Sequence, residues 1–524
     1  MIDQEQHIQE LLNQGLQCHQ AGDLQTAKEK YLQILEIQND HIHALNNLGA
    51  ALQEQGKCEE AIAQYSKILL SNPGYSYGYY NLGNAYKSNN QIKEAIAAYE
   101  RAIALNPSYA EAYNNLGLCL QDLRRLEEAV AAYHKAKNLR HDYAEVYNNL
   151  GNALQQKGEL NEAIVYLGKA LSLKKDYAEA HNNIGVVLQK QGKVKESIAE
   201  YKKAINIRPD FPDAHCNLGH ALLLQGDLKN GFSEYEWRWR VKGINYEKPR
   251  TFKQPLWDGS DLRGKTILLH AEQGYGDTIH FIRYASLIAK KGVRIVVECQ
   301  HLLERLLKNL PYIDQVIPRG AALPKCDIHA PILSLPYICG TTLDKIPNNV
   351  PYINAPSFCN IRIKTLSANV MKVGMIWAGS RTHDNDRNRS CDVEYFKSLM
   401  NIPGIAWFSL QKDSREEEIK KLSDYYTCWK DMNAFINDFA DTASVINQLD
   451  LIVTVDTAVA HLAGAMGKPV WVLLPFAPDW RWMRERADSP WYPTARIFRQ
   501  TSPGIWDNII ERIASELRCL VESI

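Results

Sequence analysis

Apolar, small and polar positions divide the chain into two regimes. In the first, from residue 8 to about 245, glycines stand at Gly15, Gly49, Gly83, Gly117, Gly151, Gly185 and Gly219, a constant interval of 34 residues. That period predicts seven copies of one helical hairpin. Twelve residues after each glycine comes a small residue: Ala27, Ala61, Ala95, Ala129, Ala163, Ser197 and Gly231. These two positions are expected to let paired helices approach closely. Four residues further, on the same helix face, stand Tyr31, Tyr65, Tyr99, Tyr133, Leu167, Tyr201 and Tyr235, expected to fill the space between neighbouring hairpins. Between the helices lie Gly22, Gly56, Asn90, Arg124, Gly158, Gly192 and Gly226, mostly types that tolerate the left-handed conformation ending a helix. Pro73, Pro107 and Pro209 mark joins between units, where a first helical turn accepts proline.

Past the segment Pro249 to Gly264 the pattern changes to short β-rich runs alternating with amphipathic helices, which predicts parallel sheets with crossover helices. Strands are expected at Thr266 to His270, Val293 to Cys299, Gln315 to Pro318 and Asp327 to Leu335, then at Val373 to Ala378, Ala406 to Leu410, Leu451 to Val455 and Val470 to Leu474. Helices are expected over Thr278 to Lys291 and His301 to Leu310. Two such units side by side predict twin Rossmann-type domains, with a ligand cleft at the carboxyl ends of their strands. The expected fold class is therefore α + α/β. An α-solenoid over residues 1–245 and a linker over 246–263 precede α/β units over 264–360 and 361–524.

Composition narrows the function. Lys plus Arg and Asp plus Glu both total 60, a net charge of zero, so no whole-chain field draws in nucleic acid or an acidic membrane. No run approaches the roughly 20 apolar residues that span a bilayer, and the start lacks a secretory pattern; a cytoplasmic location is expected. Eleven cysteines lie scattered without a C-x-x-C pair, which favours reduced thiols and no metal site.

The periodic registers resemble the tetratricopeptide repeat family, which implies a superhelix with a concave face for a protein or peptide partner. Two residues before each glycine stands an asparagine: Asn13, Asn47, Asn81, Asn115, Asn149, Asn183 and Asn217. A ladder of carboxamides suits the backbone of an extended peptide, and it is similar to that of the protein O-GlcNAc transferases. The same side chains also suit local hydrogen bonds within the array. In the seventh repeat Arg238 stands where repeats three to six carry alanine, within Glu234-Tyr235-Glu236-Trp237-Arg238-Trp239-Arg240. This end is expected to cap the array and pack on the α/β region.

In the α/β region, Gln273-Gly274-Tyr275-Gly276-Asp277-Thr278-Ile279-His280 and Asp456-Thr457-Ala458-Val459-Ala460-His461-Leu462-Ala463 resemble two signatures of the heptosyltransferase-like glycosyltransferase family 9. The resemblance implies a GT-B pair of domains and inverting transfer from a nucleotide-diphosphate sugar, with no cofactor or metal. It matches Asp277 to the base that takes the acceptor proton; a carboxylate here also suits capping of the adjoining helix. The departing diphosphate suits a helix N-terminus, which places Asp456, Thr457, Ala458 and His461 at the donor, with Gly379, Ser380 and Arg389 in a second anion-friendly turn and Gln411 beside it. Asp384-Asn385-Asp386 reads as a loop feature. Ala458 stands where the family commonly has glycine, Arg389 where it has lysine, and the first α/β unit is short. No match to the catalytic region of the O-GlcNAc transferases is evident. The functional expectation is an inverting glycosyltransferase whose repeats recruit the acceptor; the alternative is an interaction scaffold with a degenerate nucleotide- or glycan-binding domain.

Overall fold

The computed structural model describes residues 2–241, 252–359, 361–363, 370–381, 385–412, 418–420, 422 and 428–523. Among them, fourteen helices run in antiparallel pairs from Ile2–Gln20 to Leu228–Tyr235. The predicted breaks fall as expected: Gly22, Gly56, Gly158, Gly192 and Gly226 have positive φ, and Asn90 and Arg124 adopt the same conformation at φ 59° and 60°. The large register differs from its expected role. In the first five repeats that side chain lies against the glycine of its own hairpin, so that a Cβ at Gly83 would stand 2.6 Å from Tyr99, and one at Gly151 2.6 Å from Leu167. The glycine is thus required by a ring packed inside the hairpin, where Tyr31, Tyr65, Tyr99 and Tyr133 are buried.

The chain gathers into two units, residues 1–187 with 203–209, and 188–202 with 210–524. The seventh hairpin, Pro212–Gln225 and Leu228–Tyr235, therefore belongs with both sheets, whereas the sequence pattern set the boundary at 245. Arg238 explains the difference. Its side chain is fully buried, and its guanidinium donates to Glu272 at 2.9 and 3.1 Å, to Glu236 at 2.6 Å and to Ser334 at 2.7 Å.

The first sheet contains β1 (Thr266–His270), β2 (Arg294–Cys299), β3 (Gln315–Pro318) and β4 (Ile328–Pro331) in the order β3-β2-β1-β4, all parallel. The second contains β5 (Met371–Ile376), β6 (Ile405–Ser409), β7 (Trp429–Asp431), β8 (Leu451–Val455), β9 (Val470–Leu474) and β10 (Ala495–Arg499) in the order β10-β9-β8-β5-β6-β7, again all parallel. β7 and β10 have no counterpart among the expected strands. Both faces of the second sheet are covered, and β8 and β9 are buried at every position, the mark of a parallel sheet between helical layers. The helix expected from Thr278 begins earlier, at Tyr275, and ends at Phe281, followed by a 3-10 turn, Ile282–Tyr284. The order of strand addition reverses between β1 and β4 in the first sheet and between β5 and β8 in the second, the switch points where α/β sheets bind ligands. No helix among the described residues is long and apolar enough to cross a membrane.

Candidate functional site

The second switch point brings together three of the sequence-predicted residues. Beyond β5 the chain reaches Gly379, whose N–H donates to Ser390 Oγ at 3.0 Å. The guanidinium of Arg389 lies on this glycine: a Cβ there would stand 2.4 Å from Nη2. Arg389 Nη1 donates at 3.2 Å to the carbonyl of Asp456, which follows β8. Its Nε makes no hydrogen bond and stands 3.7 Å from the Asp386 carboxylate. Ser380 is exposed beside this turn. Asp384 lies outside the described residues.

Thr457 is the N-cap of the helix Ala458–Ala465 and makes no capping bond with its side chain; its hydroxyl sits 3.2 Å from that of Thr454. The first N–H groups of this helix point to the carboxyl ends of β5 and β8, as a diphosphate site requires. Burial pushes the Asp456 carboxyl up to about 6; Asp479 adds to the rise, while Trp482, Arg389 and Arg481 oppose it. The Trp482 indole N–H nevertheless lacks a partner in good bonding geometry.

Two predicted residues are occupied internally. Gln411, buried at the end of β6, accepts from the N–H groups of Trp377 and Ala378 at 3.3 and 3.1 Å and donates to the carbonyls of Ala378 and Lys412 at 3.0 and 2.9 Å. All four capacities of its carboxamide are used. His461 is buried, bonds the Tyr492 hydroxyl at 3.0 Å and stacks on Trp482 at 5.3 Å. Burial, with Arg481 adding, pushes it down to about 3, so it is a neutral ring at ordinary pH.

Asp277 is the third residue of the helix Tyr275–Phe281. Its carboxylate accepts the Gly274 N–H at 3.0 Å and pairs with Arg481. Arg481 also donates to Asp479 at 2.8 Å. Burial works against the charge on Arg481, but Asp479 and Asp277 outweigh it and hold the guanidinium protonated. For Asp479 burial is likewise outweighed, chiefly by Arg481, and its carboxyl is held below the usual range.

The two α/β halves meet where a cleft was expected. The helices Tyr275–Phe281 and Ala458–Ala465 are in direct contact: a Cβ on Gly276 would lie 3.0 Å from His461 and 3.4 Å from the Ala458 Cα. The Tyr492 hydroxyl joins His280 Nδ1 at 2.7 Å to His461 Nδ1. At this level the space is filled by packed rings, because Trp480, Trp482 and Trp491 are buried rather than displayed. An open groove of about 510 Å³ occurs elsewhere, lined by Gly259, Ser260, Asp261, Arg263 and Lys290 to Gly292. These residues precede β1 and β2, at the opposite end of the strands from the switch points.

On the repeats, the asparagines bond one another. Asn81 donates to Asn46 at 2.6 Å, Asn149 to Asn114 at 3.0 Å and Asn183 to Asn148 at 2.9 Å. Asn115 turns to Asn84 at 2.9 Å and Tyr80 at 3.4 Å, because position 80 carries tyrosine where the neighbouring repeats carry asparagine. Asn47 and Asn217 are half-buried in the same register. Sequence reasoning missed Arg481, Asp479, Tyr492 and His280. The run Asp479-Trp480-Arg481-Trp482 held a signal for the first two, as an arginine between tryptophans implies a sheltered charge.

The fold and site define a helical-repeat protein joined to a pair of parallel α/β units with an anion-suited switch point. Tetratricopeptide repeat models match residues 83–124, 122–158, 151–192 and 190–226, and a further one matches 41–69. The model of glycosyltransferase family 9 (heptosyltransferase) matches residues 408–484, which include Gln411, Asp456 to His461 and Arg481. The chain thus carries tetratricopeptide repeats in its N-terminal region and a glycosyltransferase family 9 domain towards its C-terminus. It is 23% identical over 298 residues to protein FlbA of Caulobacter vibrioides, a stretch covering 50% of this chain and 48% of FlbA. The chain therefore spans about half the length of the curated relative it matches. Among solved structures it is similar to MamA, with 30% identity, a TM-score of 0.29, and coverage of 31% of this chain and 94% of MamA. A tetratricopeptide repeat protein from Parabacteroides merdae is 18% identical, with a TM-score of 0.40 and coverage of 46% of this chain and 95% of its own.

Proposed function

We propose that this chain is an inverting, metal-independent glycosyltransferase of the cytoplasm that moves a sugar from a nucleotide-diphosphate donor to a hydroxyl of a protein or peptide held by the repeats. The observation that carries this reading is that the family 9 match over 408–484 contains the helix Ala458–Ala465, on whose N-terminal side Arg389 and Gly379, outside the match, converge. The diphosphate rests on the N–H groups of Ala458 and Val459, and Arg389 supplies the positive charge that stabilises it as it departs. Ser380 and Thr457 offer hydroxyls beside it. Asp456 holds the sugar side of the donor. Gln411 acts through the backbone it ties at Trp377 and Ala378, and His461 through its stack on Trp482.

Asp277 takes the acceptor proton. An ion-paired carboxylate is a weak base, so the acceptor must draw Asp277 away from Arg481, which Asp479 then retains. On the repeats, Asn47, Asn81, Asn149 and Asn183 keep carboxamide capacity for a peptide backbone, and Asn217 extends the row. Asn115 spends both its N–H groups within the array and offers less.

The same contacts support a second reading. Rings fill the junction at His280, Tyr492 and His461, and Asp277 is engaged by Gly274 and Arg481, an arrangement that also suits a scaffold that has lost turnover. Calorimetric titration of nucleoside diphosphates and hydrolysis of a panel of sugar nucleotides separate the two. The transferase predicts turnover of one donor, at least a hundredfold slower in Asp277→Asn with nucleotide affinity unchanged. Absence of heat with every nucleotide favours the scaffold, and equal turnover by both proteins removes Asp277 from the mechanism.

A further inference from the structure

The seventh hairpin departs from its own repeat where it meets Asp277. Elsewhere in the array the tyrosine hydroxyl stays inside the repeats: Tyr99 bonds Asn84 at 2.7 Å, Tyr133 bonds Gln121 at 3.0 Å and Tyr201 bonds Gln189 at 3.0 Å. Tyr235, in the same register, instead accepts from Gln273 at 2.7 Å. Gln273 precedes Gly274, whose N–H the Asp277 carboxylate holds. The position after the repeat glycine reads Leu16, Ala50, Asn84, Leu118, Asn152 and Val186 in the first six repeats and His220 in the seventh.

The His220 ring lies 5.0 Å from that of Tyr235. Burial pushes it down to about 4, with Asp479 opposing the fall and Arg481 adding to it. Phe232 of the same hairpin packs edge-on against Trp480 at 5.6 Å and against Phe281 at 6.5 Å. The hairpin therefore touches both segments that make the Asp277–Arg481 ion pair, the turn 273–277 through Tyr235 and the run 479–482 through Phe232 against Trp480, while His220 packs on the Tyr235 ring.

We infer that His220 and Tyr235 are positioning residues of the Asp277 centre, so that the last repeat is a wall of the transfer site rather than only the cap of the array. They act through others: Tyr235 fixes the turn that aims the Asp277 carboxylate, and the His220 ring packs on Tyr235 and holds it in that position. The inference rests on the transferase reading, and its test has one arm that does not.

Full-length Tyr235→Phe and His220→Gln are compared with wild type and with Leu70→Ser, a change at an exposed array position. In hydrolysis of whichever sugar nucleotide the wild type turns over, both variants are expected to lose about tenfold to a hundredfold in kcat and to displace the pH profile. The Kd for the nucleoside diphosphate and the melting temperature are expected to hold, and Leu70→Ser to match wild type. Wild-type kcat and pH profile in both variants would overturn the inference. The second arm follows the His220 ring by NMR of the histidine-labelled full chain with and without Asp277→Asn. A displaced His220 signal is expected, and an unmoved one overturns the inference. If no sugar nucleotide is turned over the transferase reading fails by itself, and the NMR arm alone decides whether the seventh repeat is coupled to Asp277.

Discussion

Arg481 and Asp277, 204 residues apart in sequence, form an ion pair that joins the turn after β1 to the run after β9. Neither residue is fully sealed, with side-chain exposures of 9% and 18%. Because Asp479 shares the guanidinium, the charge on Arg481 is satisfied whether or not Asp277 stays bound to it. That geometry leaves Asp277 held in place by Arg481 without making the guanidinium depend on it.

Gly379→Ala is expected to fold normally and to bind nucleoside diphosphate about tenfold more weakly, as does Arg389→Ala, with no further loss in the double variant. The atoms nearest the new methyl would be those at the far end of the flexible Arg389 side chain, so the guanidinium is expected to shift and the backbone to stay. Tenfold is about 1.4 kcal/mol, close to the lower end of the roughly 1.5–3 kcal/mol that a charge-assisted hydrogen bond contributes. Calorimetry checks it, and wild-type affinity in Gly379→Ala removes Arg389 from the phosphate site.

Stability is expected to fall as the medium is acidified below about pH 6.5. His280 and His461 are buried, and burial holds both well below the ordinary histidine range, with Arg283 adding at His280 and Arg481 at His461. The unfolded chain takes up these protons near pH 6.5 and the native chain does not, so each ring is fully tolerated above that pH and lowers stability as the pH drops towards 4. Each contributes a slope of about 1.4 kcal/mol per pH unit in that window. Urea midpoints measured from pH 7.5 to 4.5 give the slope, and His280→Gln should flatten it by about one proton's worth.

Arg238→Met should be among the most damaging single changes in the chain. It leaves Glu272 and Glu236 without the cation that neutralises them. Breaking a buried pair from one side costs about 3–5 kcal/mol. Burial pushes the Glu272 carboxyl up, and Arg238 opposes the rise without cancelling it; without the arginine, Glu272 becomes easier still to protonate. The loss should therefore shrink as the pH is lowered, and Glu272→Gln should restore part of it. Urea unfolding followed by tryptophan fluorescence reads both effects.

The repeats were legible because their physics is local. A hairpin needs its glycine, its small contact position and its left-handed break at fixed intervals, and each requirement recurs at one spacing. Even there the sequence did not say what the tyrosines touch, since a ring at that register reaches either its own hairpin or the next. β7 and β10 escaped notice because edge strands of three and five residues leave too little periodicity to separate from loop.

At the site, the sequence by itself determined which turns follow which strands, and so put Gly379 and Arg389 after β5 and Asp456 and Thr457 after β8; the sheet order then sets β5 beside β8, where strand addition switches direction. Only the tertiary structure decided how those residues are occupied. Gln411 is consumed by backbone, His461 by Tyr492 and Trp482, and Asp277 by Gly274 and Arg481. Apart from the local bonds from Gly274 to Asp277 and from Gln411 to Lys412, these pairings join residues tens to hundreds of positions apart, where no spacing rule operates. They are chosen by which buried polar groups must find partners once the helices and sheets have closed around them.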